Sequence, residues 1–139
     1  MTAHLWVALA ATWLGAAEED LGRLQGTWQR VAAVVDGQEL PQAAVKKQLL
    51  LIEGTGYKLK TAEGSREGVF EIRPTKTPKE IDIKSASGPN KGKVLKGIYE
   101  LDGDTFKYCV APPGKDRPTE LSSKPGSGHM LYTNKKIKP

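Results

Sequence analysis

From Gln25 onward, apolar side chains recur at every second residue in short runs cut off by turn residues, and that rhythm points to an antiparallel β fold. Tyr57-Leu59-Thr61 alternates with Lys58-Lys60, and Ile81-Ile83 with Asp82-Lys84. Such runs are strands with one buried and one wet face. The pattern predicts strands over Thr27–Val35, Leu49–Glu53, Tyr57–Ala62, Gly68–Arg73, Glu80–Ser85, Val94–Leu101, Thr105–Ala111 and His129–Asn134. Most of the fifteen Gly and nine Pro fall between these runs, where turns need them.

The connections agree with the runs. Gly54-Thr55-Gly56 joins the second and third, Ala62-Glu63-Gly64-Ser65 begins the next link, and Pro74 to Pro78 and Gly88 to Gly92 separate the pairs that follow. Asp102-Gly103-Asp104 is the tightest. Centred on Gly103-Asp104, it sets Leu101 opposite Phe106 and Tyr99 opposite Tyr108, all on one face, with Glu100, Lys107 and Cys109 on the other.

Three segments depart from period two. Pro41 to Gln48 reads as a short helix, with Pro41 suited to its first turn and Val45 and Leu49 on one side. Glu18 to Leu24 suits one or two helical turns leading into the first strand. Pro112 to Gly128, PPGKDRPTELSSKPGSG, is a long connection, a class that is often functional or mobile. Eight successive strands with mostly short links imply an up-and-down antiparallel sheet closing into a barrel, which removes its exposed edges. An eight-stranded barrel is just wide enough for side chains or one small ligand.

Leu5 to Leu14, LWVALAATWL, is uncharged, and Gly15-Ala16-Ala17 precedes the polar Glu18-Glu19-Asp20. That is the form of a secretory signal peptide over residues 1–17, although the segment before it has no Lys or Arg, only His4 and the terminal amine. The apolar run falls short of the roughly 20 residues a bilayer span takes. The expected product is an exported, periplasmic or extracellular single domain over residues 18–139, without a stable membrane span.

The net charge of +5 comes from dispersed lysines, which fit a solvated outer face better than a dedicated basic patch. Nucleic acid is excluded as a partner. Single-strand binders interleave cations with stacking aromatics, and here the 6% aromatic residues sit mostly at core parity. Cys109 is the single cysteine, so no intramolecular disulfide forms. His129 is the one histidine outside the leader, and with Cys109 it makes neither a zinc set nor a supported nucleophile pair. Gly88 to Val94 lacks the spacing and the Ser/Thr of a phosphate loop, and Asp102-Gly103-Asp104 has too few carboxylates for calcium. Gly126-Ser127-Gly128 lacks the frame of a nucleophile elbow. No catalytic residue, metal or cofactor is assigned, and an enzyme is not expected.

Gly26-Thr27-Trp28 resembles the lipocalin signature Gly-x-Trp, in which the Trp closes the barrel floor beneath the ligand cavity. The wider pattern is similar to a family of small secreted domains known mainly from planctomycete bacteria. It comprises LQGTW, a strand ending near Asp36-Gly37, then Leu40-Pro41, the segment PTKTPKEID, and the stretch from Gly88 to His129. The similarity runs from about Leu24 to Lys136. It implies a lipocalin-like barrel and brings no established activity. Such domains usually place an apolar residue where this chain has Arg30, and a bulge near Ala32 is one way to absorb the difference.

The expectation is therefore an all-β, eight-stranded, lipocalin-like barrel with a short helix after the first strand, acting as a non-enzymatic binding module. Trp28, Tyr57, Leu59, Phe70, Ile72, Ile83, Tyr99, Phe106 and Tyr108 would line an interior that accepts a small apolar ligand, or would simply fill it. Ile81 and Leu101 share that inward parity. Arg117 and Glu120, in the long loop, would pair with each other or with the rim, or else contact the ligand. The alternative is a solid barrel that presents its loops to an envelope protein, as an interaction or inhibitor module.

Overall fold

A computed structural model of the protein describes residues 15–138. Residues 15–24 form helix α1, and a second helix, α2 (Gln42–Val45), follows the first strand. The strands are β1 (Gly26–Val35), β2 (Gln38–Glu39), β3 (Leu49–Glu53), β4 (Gly56–Thr61), β5 (Gly64–Arg73), β6 (Glu80–Ser85), β7 (Val94–Asp102), β8 (Thr105–Val110) and β9 (Met130–Lys136). All neighbours are antiparallel and follow sequence order, and β1 pairs with β9 to close the sheet. Leaving aside β2, a two-residue spur on β1, this is a closed up-and-down barrel of eight strands.

The register is set by which side chains face inward. In the hairpin of β7 and β8, Leu101 lies opposite Phe106 and Tyr99 opposite Tyr108, as the turn residues require. Trp28, Leu50, Ile52, Phe70, Ile81, Leu95, Tyr99, Phe106, Tyr108 and Val110 form one buried cluster, with Leu24 of α1 joining it from below. Burying side chains of this kind contributes roughly 1.5–3 kcal/mol each, the main favourable term in the fold. Tyr57, Leu59, Ile72, Ile83, Leu101, Met130 and Tyr132 pack against the cluster while partly exposed.

Strand β1 departs from simple alternation. Its register against β9 shifts between Arg30 and Ala32, so Trp28, Arg30 and Ala33 are all buried. The extra residue at this bulge resets parity, which is how an inward Arg and an inward Ala occur three positions apart. Arg30 therefore faces the interior. Asp36-Gly37, both at positive φ, then turn the chain into β2.

Several expected boundaries shift. Strand β5 begins at Gly64, because Gly64 to Glu67 continue the ladder against β4 despite lacking any apolar residue. Helix α2 spans only Gln42–Val45 of the expected Pro41 to Gln48 and buries Val45, while β3 opens at Leu49 as expected.

The two ends of the barrel differ. At one end α1 acts as a plug. The Trp28 indole N–H donates to the Leu24 carbonyl at 2.8 Å, and the Gln25 side chain bonds both the N–H and the carbonyl of Gly54. Asp20, almost fully buried, accepts from the Tyr99 hydroxyl at 2.7 Å and from the Lys79 ammonium at 2.9 Å. The other end carries the connections 36–48, 62–63, 86–93 and 111–129 and forms the mouth. Among the described residues no helix is long and apolar enough to cross a membrane.

Candidate functional site

The barrel interior is not filled. A cavity of about 150 Å³ lies between the plugged end and the mouth. It is walled by Leu50, Ile52, Tyr57, Leu59, Phe70, Ile81, Ile83, Leu95, Phe106, Tyr108, Val110, Met130 and Tyr132, with Leu24 beneath. Ser85, Ser87, Pro89 and Asn90 stand on the mouth side with Arg66, and Arg30 is set in the wall. A cavity of about this volume has room for a benzene-sized guest.

Of the side chains read as lining the interior, Tyr57, Leu59, Phe70, Ile83, Phe106 and Tyr108 do line the cavity. Trp28, Ile72 and Tyr99 pack in or against the core cluster without lining it. Trp28 meets the Phe106 ring edge-on at 5.6 Å, and Tyr99 meets the same ring at 6.3 Å, so this aromatic layer forms the floor. The Lys136 ammonium lies 5.2 Å above the Trp28 ring and donates to the Arg23 carbonyl, sealing the floor from outside.

Glycine makes room at two inward positions. A Cβ at Gly68 would lie 2.3 Å from the Lys84 carbonyl oxygen and 2.8 Å from the Tyr57 hydroxyl, so its absence lets the Tyr57 ring lie across β5. At Gly97 a Cβ would lie 2.6 Å from both the Cys109 carbonyl oxygen and Val110 Cγ1.

The polar part of the interior escaped the sequence pattern. Arg30, 2% exposed, donates from Nε to Asn134 Oδ1 at 3.2 Å, from Nη1 to Gln48 Oε1 at 2.9 Å, and from Nη2 to the Tyr108 hydroxyl. Its guanidinium lies 4.0 Å over the Tyr132 ring. Asn134, fully buried, also donates to the Phe106 carbonyl at 3.1 Å. Burial raises the Tyr132 hydroxyl above its ordinary value, with the neighbouring Tyr108 adding to the shift and Arg30 opposing it. The signal was present in the residues, since Arg30 stands two positions after Trp28. An Arg at inward parity, however, reads from sequence alone as a broken pattern.

The long loop takes no part in the cavity. Arg117 donates from Nη1 to Asp82 Oδ1 at 2.7 Å and to the Gly97 carbonyl at 2.8 Å, on the outer face of β6 and β7. Arg73 holds the other Asp82 oxygen at 2.8 Å and bonds Glu80 at 2.9 Å. Burial by itself would raise the Asp82 carboxyl, but the hydrogen bonds from Arg73 and Arg117 outweigh it and hold the group below its ordinary value. Glu120 pairs within the loop, with Lys124 at 3.0 Å, and not with Arg117. Under this loop, outward-facing Ile98 and Cys109 are buried, and the Cys109 thiol lies 3.4 Å from the Ser122 carbonyl. Burial pushes that thiol above its ordinary value, which suppresses the reactive thiolate.

Among the described residues no group of His, Cys, Asp and Glu could hold a metal ion. Most of the expected leader, residues 1–14 of 1–17, lies outside the described residues. No family model matches the chain, and neither a curated protein nor a solved structure matches it.

Proposed function

We propose that this domain is a non-enzymatic exported binding module that takes a small, largely apolar ligand into its barrel. The observation that carries the reading is the cavity of about 150 Å³, plugged at one end and walled by apolar or aromatic side chains from every strand of the barrel except β1. Sites of this kind, apolar with a few placed polar groups, are the usual form of small-molecule pockets. A filled barrel would favour the solid interaction module instead. The resemblance to lipocalin-like secreted domains supports the same reading, with Trp28 on the floor.

Export fits the way the plug is anchored. The first buried side chain of α1 is Asp20, followed by Leu24, so processing after Ala17 would leave every buried contact of the plug in place.

The test is to purify the protein, release any co-purified small molecule for mass spectrometry, and titrate a panel of aliphatic and aromatic compounds by calorimetry. Saturable binding at one site per chain is the expected result. Absence of heat and of any bound compound across the panel would overturn the reading.

A further inference from the structure

Resting on that reading, we infer that the ligand is an anion: an apolar compound ending in a carboxylate that docks on Arg30, with Arg66 steering it at the mouth. The inference starts from a charge imbalance. Arg30 is 2% exposed, and its three hydrogen-bond acceptors, Asn134, Gln48 and the Tyr108 hydroxyl, are all neutral. Every ion pair among the described residues lies elsewhere. No Asp or Glu lines the cavity, whereas two arginines do.

A guanidinium taken out of water is costly unless an opposite charge compensates it. The protein supplies hydrogen bonds and a ring face, yet withholds the carboxylate. The five N–H groups of a guanidinium exceed the three bonds recorded, which leaves one N–H on each terminal nitrogen. Two such donors on a planar fork match the two oxygens of a carboxylate. The Tyr108 hydroxyl accepts from Arg30, so its own proton is free to be donated to the same anion.

The rest of the ligand follows from barrel order. Strands β1, β8 and β9 adjoin one another, and they carry Arg30, Tyr108 and Tyr132. Across the interior lie β4, β5 and β6, which bring Leu59, Phe70 and Ile83 to the cavity. A head group at Arg30 therefore has its hydrocarbon part against an apolar wall. Arg66 shares the inward face of β5 with Phe70 and sits opposite Leu59 near the mouth, where an exposed cation draws anions in. The small cavity fits a short tail, with any excess length leaving through the mouth.

The experiment compares octanoate, octanol and octylamine by calorimetry at low salt and pH 8, on the native protein and on Arg30→Gln. Octanoate is expected to bind at least tenfold more tightly than octanol, and octylamine most weakly. Arg30→Gln, which keeps a neutral hydrogen-bonding group, should remove the preference for octanoate while octanol binding persists. Equal binding of octanoate and octanol by the native protein would overturn the anion assignment and leave the apolar-pocket reading standing. No binding of any of the three would remove both. Should Arg30→Gln fail to fold, the native preference decides alone, and Arg66→Gln serves as a second variant. That variant should slow octanoate association and reduce its salt dependence, and an unchanged rate and salt slope would overturn the steering role.

Discussion

The Trp28 indole N–H donates to the carbonyl of Leu24 at 2.8 Å, and both residues are fully buried. Four residues apart, they join the last turn of α1 to the first strand, so the plug and the barrel floor form one unit. The bond also satisfies a carbonyl at a helix end, where no intrahelical donor reaches.

Replacing Trp28 with Phe keeps an aromatic ring beside Phe106 but removes this donor and part of the floor. A buried carbonyl left unpartnered costs about 1–3 kcal/mol, and the lost volume adds to it. The expected destabilisation is about 2–4 kcal/mol, read from urea unfolding. A loss below about 1 kcal/mol would mean that α1 is not bound to the barrel through this contact.

Arg117 pins the long loop to the outer face through Asp82 and the Gly97 carbonyl. Arg117→Ala removes charge-assisted bonds at a partly buried site, and the loop then loses its hold over Cys109. A loss of about 1–2 kcal/mol, or a Tm lower by about 3–8 °C, is expected for a domain of this size. Limited proteolysis should cut between residues 112 and 128 in the variant first. An unchanged Tm together with an intact loop would contradict the pinning.

Much of this was legible in the residues, for a physical reason. A strand with one wet face must alternate, so Ile81-Asp82-Ile83-Lys84 disclosed both its structure and its orientation, and the Gly103-Asp104 turn fixed the pairing of Tyr99 with Tyr108. The Gly64 to Glu67 end of β5 was illegible because its residues are polar on both faces and are held by main-chain pairing alone. Arg30, Gln48 and Asn134 were illegible as a group. Arg30 and Asn134 stand 104 positions apart and meet only when β9 closes on β1. Cys109 has outward parity, and its burial depends on where a turn-rich loop settles, which follows no period.

Alkaline pH should destabilise the fold. Burial raises the hydroxyls of Tyr57, Tyr99 and Tyr132 above their ordinary value of 10.0, and for Tyr99 the hydrogen bond to Asp20 adds to it. Burial likewise raises the Cys109 thiol from 9.0. The unfolded chain releases these protons at ordinary values while the folded chain retains them. Their contribution is therefore complete below about pH 8.5 and declines as pH rises through roughly 9–10 and beyond. Urea midpoints at pH 7, 9 and 10.5 should fall in that order, and Tyr99→Phe should flatten the decline. A midpoint constant to pH 10.5 would show that these groups ionise freely in the folded protein.

Filling the cavity separates binding from folding. Ile83 lines the cavity from β6 and is only partly buried, so an aromatic ring in its place has a void to enter. Inserting extra atoms into a packed core costs about 1–3 kcal/mol through forced rotamers and backbone shifts, and a void relieves most of that cost. Ile83→Phe should therefore keep its stability within about 1 kcal/mol of the native protein. Octanoate affinity should fall at least tenfold, a change of about 1.4 kcal/mol, because the ring occupies the wall that the hydrocarbon tail would cover. Calorimetry on the native protein and the variant checks the affinity, and urea unfolding checks the stability. Native-like affinity in a stably folded Ile83→Phe would place the bound tail outside the barrel.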